Sequence, residues 1–198
     1  MTDAAVAEPK LNPLVIQLPK LNIQFMATKL VGDSSLIVHR FDEKAKKQIL
    51  DKQMKRARAA KEPKNPTQEY LDSLYQYPGG GYGFPAGAFK AAAIDACSHV
   101  DGMTKVQARG AFHVIGEMAK IEGDPRMRED MVRIAMGTTD IRYRAEFPAW
   151  STTLKIRFNA NVMRAEQIVN LFNTAGFAIG VGEWRPQKDG IYGMFHVE

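Results

Sequence analysis

The amino-acid sequence predicts an α+β protein, with an antiparallel sheet that carries helices on one face. Residues 139–147 and 152–160 alternate apolar and basic side chains, which is typical of strands with one buried face. Residues 161–176 then place apolar side chains at helical spacing. Two further apolar runs, 176–184 and 191–198, complete the order strand, helix, strand, strand.

The composition is that of an ordinary globular domain. The chain has 198 residues, of which 45% are hydrophobic and 25% charged. No apolar run reaches the roughly 20 residues that a membrane span needs, and the first residues lack the pattern of a signal peptide, so we expect a cytoplasmic protein without membrane contact. Cys97 is the only cysteine, which excludes an intrachain disulfide and a cysteine-based zinc cluster.

The N-terminal part predicts a flexible tail and a first strand. Residues 1–9 are small and polar without periodicity, and we place one domain in residues 10–198. A strand is expected in residues 21–31, with Ile23 and Phe25 facing the core. A second apolar stretch follows after a short turn.

Positive charge is concentrated in residues 44–64, which we assign to a basic helical insertion spanning residues 42–78. This segment holds nine Lys or Arg residues against two acids, a net +7 compared with +5 for the whole chain. Such a segment favours a polyanionic partner. The nucleic-acid-binding candidates in it are Lys44, Lys47, Lys52, Lys55, Arg56 and Arg58.

Residues 79–87 are rich in glycine and precede a helix that starts near Pro85. The free N–H groups of such a helix start attract phosphate, and Lys90 would add a charge-assisted contact. We therefore predict a phosphate cradle that includes Gly83 and Gly87. Strands are expected in residues 108–121 and just beyond them.

We expect the two alternating strands to pair as a hairpin extension over residues 138–160. One face of this hairpin would be apolar and the other basic. The candidates for phosphate contacts on it are Arg142, Arg144, Lys155 and Arg157, and those for base stacking are Tyr143 and Trp150.

The C-terminal third predicts a helix from an N-cap at Asn161 to a stop at Gly176, followed by a buried strand that contains Gly180 and Gly182. The order strand, helix, strand, strand is half of a ferredoxin-like, RNA-recognition-like sheet with helices on one face. An early strand, the helix from Pro85 and a strand near residue 112 would form the other half.

Two segments resemble a known superfamily. The stretch "GFPAGAFKAAAIDA", residues 83–96, is similar to the glycine-rich loop and helix of the RAMP superfamily, the backbone subunits of CRISPR effector complexes. The stretch "GVGEWRPQKDGIYGMFHVE", residues 180–198, resembles the closing segment of the same proteins, and together the two cover 33 residues. The chain departs from the pattern at Ala86 to Ala88, where a serine is usual, and at Ala91 in place of glycine.

This resemblance implies a non-catalytic protein that holds guide RNA, or single-stranded DNA, through its phosphate backbone. It also implies copies that line up along the strand and contacts with other effector-complex subunits. Arg185, in the closing segment, joins the candidate RNA contacts, whereas Trp184 is expected to be structural. A solitary homologue on a phage or another mobile element would share these motifs.

Two rival functions remain open. In some RNA-cleaving RAMP subunits a catalytic aspartate follows the first strand, where Asp33 stands, although "GDSS" is also ordinary turn chemistry. The other rival is a protein-interaction module, either a mimic or inhibitor of a CRISPR complex or a phage structural protein. The spacing of His39, His113 and His196 is not that of metal ligands, so we assign them structural roles and expect no metal or cofactor.

Overall fold

The computed structural model describes residues 20–41, 43–56, 63–135 and 137–198, and its helices and antiparallel sheets confirm the α+β class. The strands are β1 Ile23–Gly32, β2 Leu36–Val38, β3 Tyr82–Pro85, β4 Phe112–Val114, β5 Met118–Ile121, β6 Arg126–Ala135, β7 Thr138–Phe147, β8 Ser151–Asn159 and β9 Phe195–Val197. The helices are α1 Glu43–Gln53, α2 Pro66–Ser73, α3 Ala86–Ala96, α4 Lys105–Ala111 and α5 Ala165–Ala178. The described part of the chain has no helix of the length and apolarity that a bilayer crossing requires.

The strands form three sheets. The largest has the order β4-β8-β1-β9, and every neighbouring pair in it is antiparallel. A second sheet has the order β2-β7-β6, and β3 pairs with β5 in a two-stranded ribbon. Along the chain, the four-stranded sheet and the two helices that pack on it follow the order β1, α3, β4, β8, α5, β9.

One face of the four-stranded sheet is buried by α3 and α5. Leu154, Ile156 and Phe158 alternate along β8 toward this side and are almost fully buried. Phe89 of α3 and Phe172 of α5 complete the core, and each such side chain contributes about 1.5–3 kcal/mol when it is buried. The other face of the sheet therefore carries the residues at odd positions of β8.

Trp150 turns the chain from the second sheet into the four-stranded sheet. Its indole N–H donates to the carbonyl oxygen of Ser34 at 2.9 Å. Its ring centroid lies 6.3 Å from that of Phe89 and 6.1 Å from that of Phe195. Because this corner separates β7 from β8, the predicted pairing of these two strands is wrong: β7 pairs with β6 and β2, and β8 with β1 and β4.

Helix α5 is displaced from its predicted position toward the C-terminus. Its N-cap is Arg164 rather than Asn161, and Gly176 lies inside the helix instead of ending it. A Cβ on Gly176 would overlap the carbonyl oxygen of Phe195, so this glycine permits a close approach to β9. The predicted strand after it is wrong, because the helix continues and Gly180 and Gly182 then turn the chain with φ of 69° and 79°.

Two other predicted elements also differ. Residues 108–111, expected in a strand, belong to α4, which begins at Lys105 with a capping box made by Thr104 and Gln107. Gly83, expected in a loop, lies in β3 opposite Lys120. The glycines that turn the chain there are residues 79–81, all with positive φ.

Close packing at Gly176 predicts a position-specific loss of stability. We expect Gly176→Ala to lower the free energy of unfolding by about 1–3 kcal/mol, because the new methyl group forces α5 away from β9. The matched control is Gly110→Ala in α4, where a Cβ meets nothing within 4 Å and where alanine favours the helix by up to about 1 kcal/mol. Chemical denaturation of the three proteins measures both effects, and equal stability of the two variants would contradict the packing account.

Candidate nucleic-acid interface

The exposed face of the four-stranded sheet brings side chains from three strands into one row. In the antiparallel register, Phe25 of β1 lies opposite Arg157 of β8, and Arg157 lies opposite His113 of β4. Directly opposite residues of antiparallel strands share a face, with Cβ atoms about 4.5–5.5 Å apart. All three side chains are exposed to solvent. We call Phe25, Arg157 and His113 the cross-sheet row.

A depression of about 450 Å³ lies over the cross-sheet row, which lines it together with Val114, Ile115 and Gly116. Ile115 is 43% exposed, so the depression combines an apolar rim with a guanidinium group. The neighbouring outward residue of β8, Lys155, is also exposed.

Lys90 lies at the edge of the same face, behind His113. Its ammonium group donates to the carbonyl oxygen of Arg109 at 3.1 Å and contacts His113 Nδ1 at 3.0 Å. It also lies 5.9 Å from the centroid of the Phe112 ring. Because an ammonium group only donates, His113 accepts at Nδ1 and carries its own proton on Nε2 when it is neutral. The structure thus places Lys90 beside His113 of the cross-sheet row.

Electrostatic repulsion acts among these groups. Burial, and then the positive charge of Arg157, lowers the pKa of Lys90. Partial desolvation, followed by the charges of Lys90 and Arg157, lowers the pKa of His113. In both groups burial is the larger cause, and the neighbouring positive charges add to it, which is a repulsion that an added anion would relieve.

Among the described residues, neither Lys155 nor Arg157 forms an ion pair, whereas the other outward lysine of this face, Lys29, pairs with Glu198. We call Lys90, His113, Lys155 and Arg157 the basic patch. No acid among the described residues forms an ion pair with this patch, and an exposed aromatic ring lies beside it.

The predicted arginines of β7 are engaged within the protein. Arg144 is 6% exposed and its Nη1 lies 3.1 Å from Oδ2 of Asp130. Arg142 is 3.6 Å from Asp140. Arg144 also lies over the ring of Trp184, 5.9 Å from its centroid, so Trp184 joins the closing segment to the second sheet as a structural residue. Burial and the Asp130 pair leave Arg144 unavailable to a phosphate.

The two predicted stacking residues have different environments. Trp150 is 4% exposed and forms the corner described above, so it presents no ring face to a base. Tyr143 is half-buried on the second sheet, and a hydrogen bond with Glu129 raises the pKa of its hydroxyl. The prediction for Trp150 is therefore wrong, and Tyr143 lies on a different sheet from the basic patch.

The basic helical insertion presents its described cations to solvent. Lys47, Lys52 and Lys55 are exposed, and Arg56 lies 3.3 Å from Asp51. Three apolar residues of the same segment are also about half exposed, namely Ile49, Leu50 and Met54. The segment around α1 therefore gains little stability from burial. The side chain of Lys44, and the whole of Arg58, lie outside the described residues.

The two segments of the family resemblance face each other across a groove of about 370 Å³. The start of α3 lines one side and the turn at Gly180 and Gly182 lines the other. Arg185 lies in this groove, but its guanidinium donates to the Gly182 carbonyl oxygen at 3.0 Å and to Gln187 Oε1. Gln187 in turn donates to Asp95 of α3 at 2.9 Å. Gly87, in the first turn of α3, is exposed.

Asp33 follows β1 and contacts His196, with 2.6 Å between its Oδ1 and Nδ1 of the histidine. The described residues hold no group of three His, Cys, Asp or Glu side chains that could bind a metal ion. The arrangement is therefore an exposed acid–imidazole pair at the end of the sheet.

Sequence reasoning assigned Phe25 to the core and His113 to a structural role, and so missed the cross-sheet row. The signal for Phe25 was present in β1, where Phe25 and Lys29 are both at odd positions and so share a face. The pairing of β8 with both β1 and β4 was not visible in the sequence, because β1 and β8 are more than 100 residues apart in the chain.

No known family model matches the chain, and no curated protein matches it. Among solved structures, the crystal structure of Cmr6 from Pyrococcus furiosus is similar to this chain, with a TM-score of 0.46 and 10% sequence identity. The match covers 90% of this chain and 100% of that one. At this TM-score and identity the similarity is weak and carries no argument about function.

The lowered pKa of His113 gives a prediction about its neighbours. We expect the pKa of His113 to lie below its ordinary value of about 6.5 and to rise toward it in Arg157→Gln, because that change removes a nearby positive charge. Lys188→Gln, on an exposed lysine of the closing segment, should leave it unchanged. An NMR titration of the imidazole measures all three values.

The same shift has a consequence for stability. The unfolded chain binds a proton at His113 more readily than the folded one does, so this group makes the free energy of unfolding fall as the pH drops through about 6.5. A pKa of His113 that falls further in Arg157→Gln would contradict the repulsion described here.

Proposed function

We propose that this protein binds single-stranded nucleic acid, RNA in the first place, through its phosphate backbone and without cleaving it. The observation that carries the proposal is the basic patch: His113, Lys155 and Arg157 share one sheet face, Lys90 contacts His113 at its edge, and no described acid forms an ion pair with them. A strand of phosphates supplies the missing negative charge along this face.

The sheet face suits an extended strand better than a compact anion. Lys155 and Arg157 are two residues apart on β8, so their side chains rise from the same face about 6.6–6.8 Å apart along the strand. Successive phosphates of an extended nucleic acid are spaced on this scale, and a positively charged track that follows the backbone is a common device of single-strand-binding proteins. The exposed lysines of α1 offer further positive charge on a second element.

We also propose a role for the chain within a larger nucleoprotein complex. By its resemblance to backbone subunits of CRISPR effector complexes, the chain would hold guide RNA, align copies of itself along the strand and contact other effector subunits. The groove between α3 and the closing segment supports this interpretation in one respect, because it brings the two resembling segments together. Single-stranded DNA remains the alternative ligand.

Binding should depend strongly on salt and on the basic patch. We expect a fluorescently labelled 20-nucleotide RNA to bind wild-type protein at low salt and to lose affinity steeply as salt rises. The double variant Lys155→Gln, Arg157→Gln should bind more weakly, and the slope of log affinity against log salt should fall by about 1 for each phosphate that the variant no longer neutralises.

Lys188→Gln is the control for position, because it removes one exposed lysine outside the basic patch, and it should retain most of the affinity and lower the salt slope less than either single change, Lys155→Gln or Arg157→Gln. A wild-type protein that ignores RNA and DNA at low salt, but associates with effector-complex subunits, would instead establish the protein-interaction module.

The contact between Asp33 and His196 is the observation that favours a second candidate, RNA cleavage. An imidazole beside a carboxylate can act as a general base on a ribose hydroxyl, which is why this pair needs its own test. We predict that labelled RNA stays intact after prolonged incubation with the protein and Mg²⁺. Cleavage products that disappear in both Asp33→Ala and His196→Ala would establish an RNase and contradict the non-catalytic proposal.

A further inference from the structure

We infer that Phe25 is a stacking platform for an unpaired nucleobase, positioned so that Arg157 holds a phosphate of the same strand. This inference rests on the proposed function, since it assigns the base contact of the sheet face whose phosphate contacts are proposed above. It names a residue that the sequence placed in the core.

The exposure of Phe25 is the first observation. Its side chain is 70% exposed although β1 is an interior strand of the four-stranded sheet. An aromatic ring in this position leaves apolar surface in water, and covering it is worth about 25 cal/mol for each Å². A nucleobase offers a flat apolar face of the matching shape.

Position distinguishes Phe25 from other exposed aromatics. Phe177 on α5 is 76% exposed, so exposure alone does not mark a binding site. Of these two, Phe25 has as its direct cross-strand neighbour Arg157, which pairs with no acid in the described part of the chain, and both residues line the same depression of about 450 Å³. A base on the ring therefore places its own sugar and phosphate within reach of Arg157.

The charge of the surroundings identifies the occupant. A protein partner would have to present acids to the basic patch and separate apolar side chains to Phe25. Every nucleotide of a single strand carries both a negative charge and a flat apolar base. Duplexes keep their base faces stacked on each other, so a ring platform on an open sheet favours unpaired strands. The single-stranded ligand thus covers the aromatic ring and brings phosphates to the neighbouring basic patch together.

The experiment compares two probes on four proteins. The probes are a fluorescently labelled oligouridine of 10 nucleotides and an abasic oligonucleotide of the same length and charge. The proteins are wild type, Phe25→Ala, Phe25→Trp and the matched control Phe177→Ala. Denaturation curves and circular dichroism first establish that each variant is folded.

We expect wild type to bind oligouridine about tenfold more tightly than the abasic strand, because stacking contributes on that scale for one base. Phe25→Ala should lose about tenfold for oligouridine and nothing for the abasic strand. Phe25→Trp should retain the affinity and show quenching of its indole fluorescence beyond that of wild type. Phe177→Ala should bind both probes as wild type does.

Three results would overturn the inference. If Phe25→Ala binds oligouridine as tightly as wild type, Phe25 does not stack, although the proposed function stands. If Phe25→Ala weakens both probes equally, or instead changes the sedimentation of the free protein, the ring has a structural role or covers another protein. If wild type binds neither probe at low salt, the proposed function fails and the inference fails with it.

Discussion

The pairing of β8 between β1 and β4 is the constraint on which the rest of this structure depends. It turns Leu154, Ile156 and Phe158 toward α3 and α5, and by the same alternation it turns Lys155 and Arg157 toward solvent. The hydrophobic core and the basic patch are thus two faces of one strand. A shift of register by one residue would bury the cations and expose the core, so the packing that stabilises the fold also holds the candidate site in place.

Trp150 makes this pairing possible. By filling the corner against Phe89 and Phe195, and by donating to the Ser34 carbonyl oxygen, it ends β7 and redirects the chain into the four-stranded sheet. The second sheet then carries its own charges internally, as the pair between Arg144 and Asp130 shows. Among the described residues, Arg144 is thus neutralised inside the second sheet, whereas Lys155 and Arg157 on the four-stranded sheet form no ion pair.

Local patterns in the sequence predicted much of the fold, whereas the candidate site depended on pairings between distant residues. Alternation located β7 and β8, and helical spacing located α5, because both signals are contained in neighbouring residues. Lys155 and Arg157 were identified as outward cations on the same basis. Phe25 and His113 were not, since only the sheet order brings them beside Arg157. The prediction that Gly176 ends the helix was wrong, because glycine is required there by the close approach of the Phe195 carbonyl oxygen, from a residue 19 positions further along the chain.

The central claim is that nucleic acid lies on the exposed face of the four-stranded sheet, and ultraviolet crosslinking of bound oligouridine followed by mass spectrometry of the peptides tests it most directly. The account predicts crosslinked uridine on the β1 peptide that contains Phe25 and on the β4 or β8 peptides that contain His113 or Arg157. Crosslinks confined to the basic helical insertion, with none on these three strands, would contradict it.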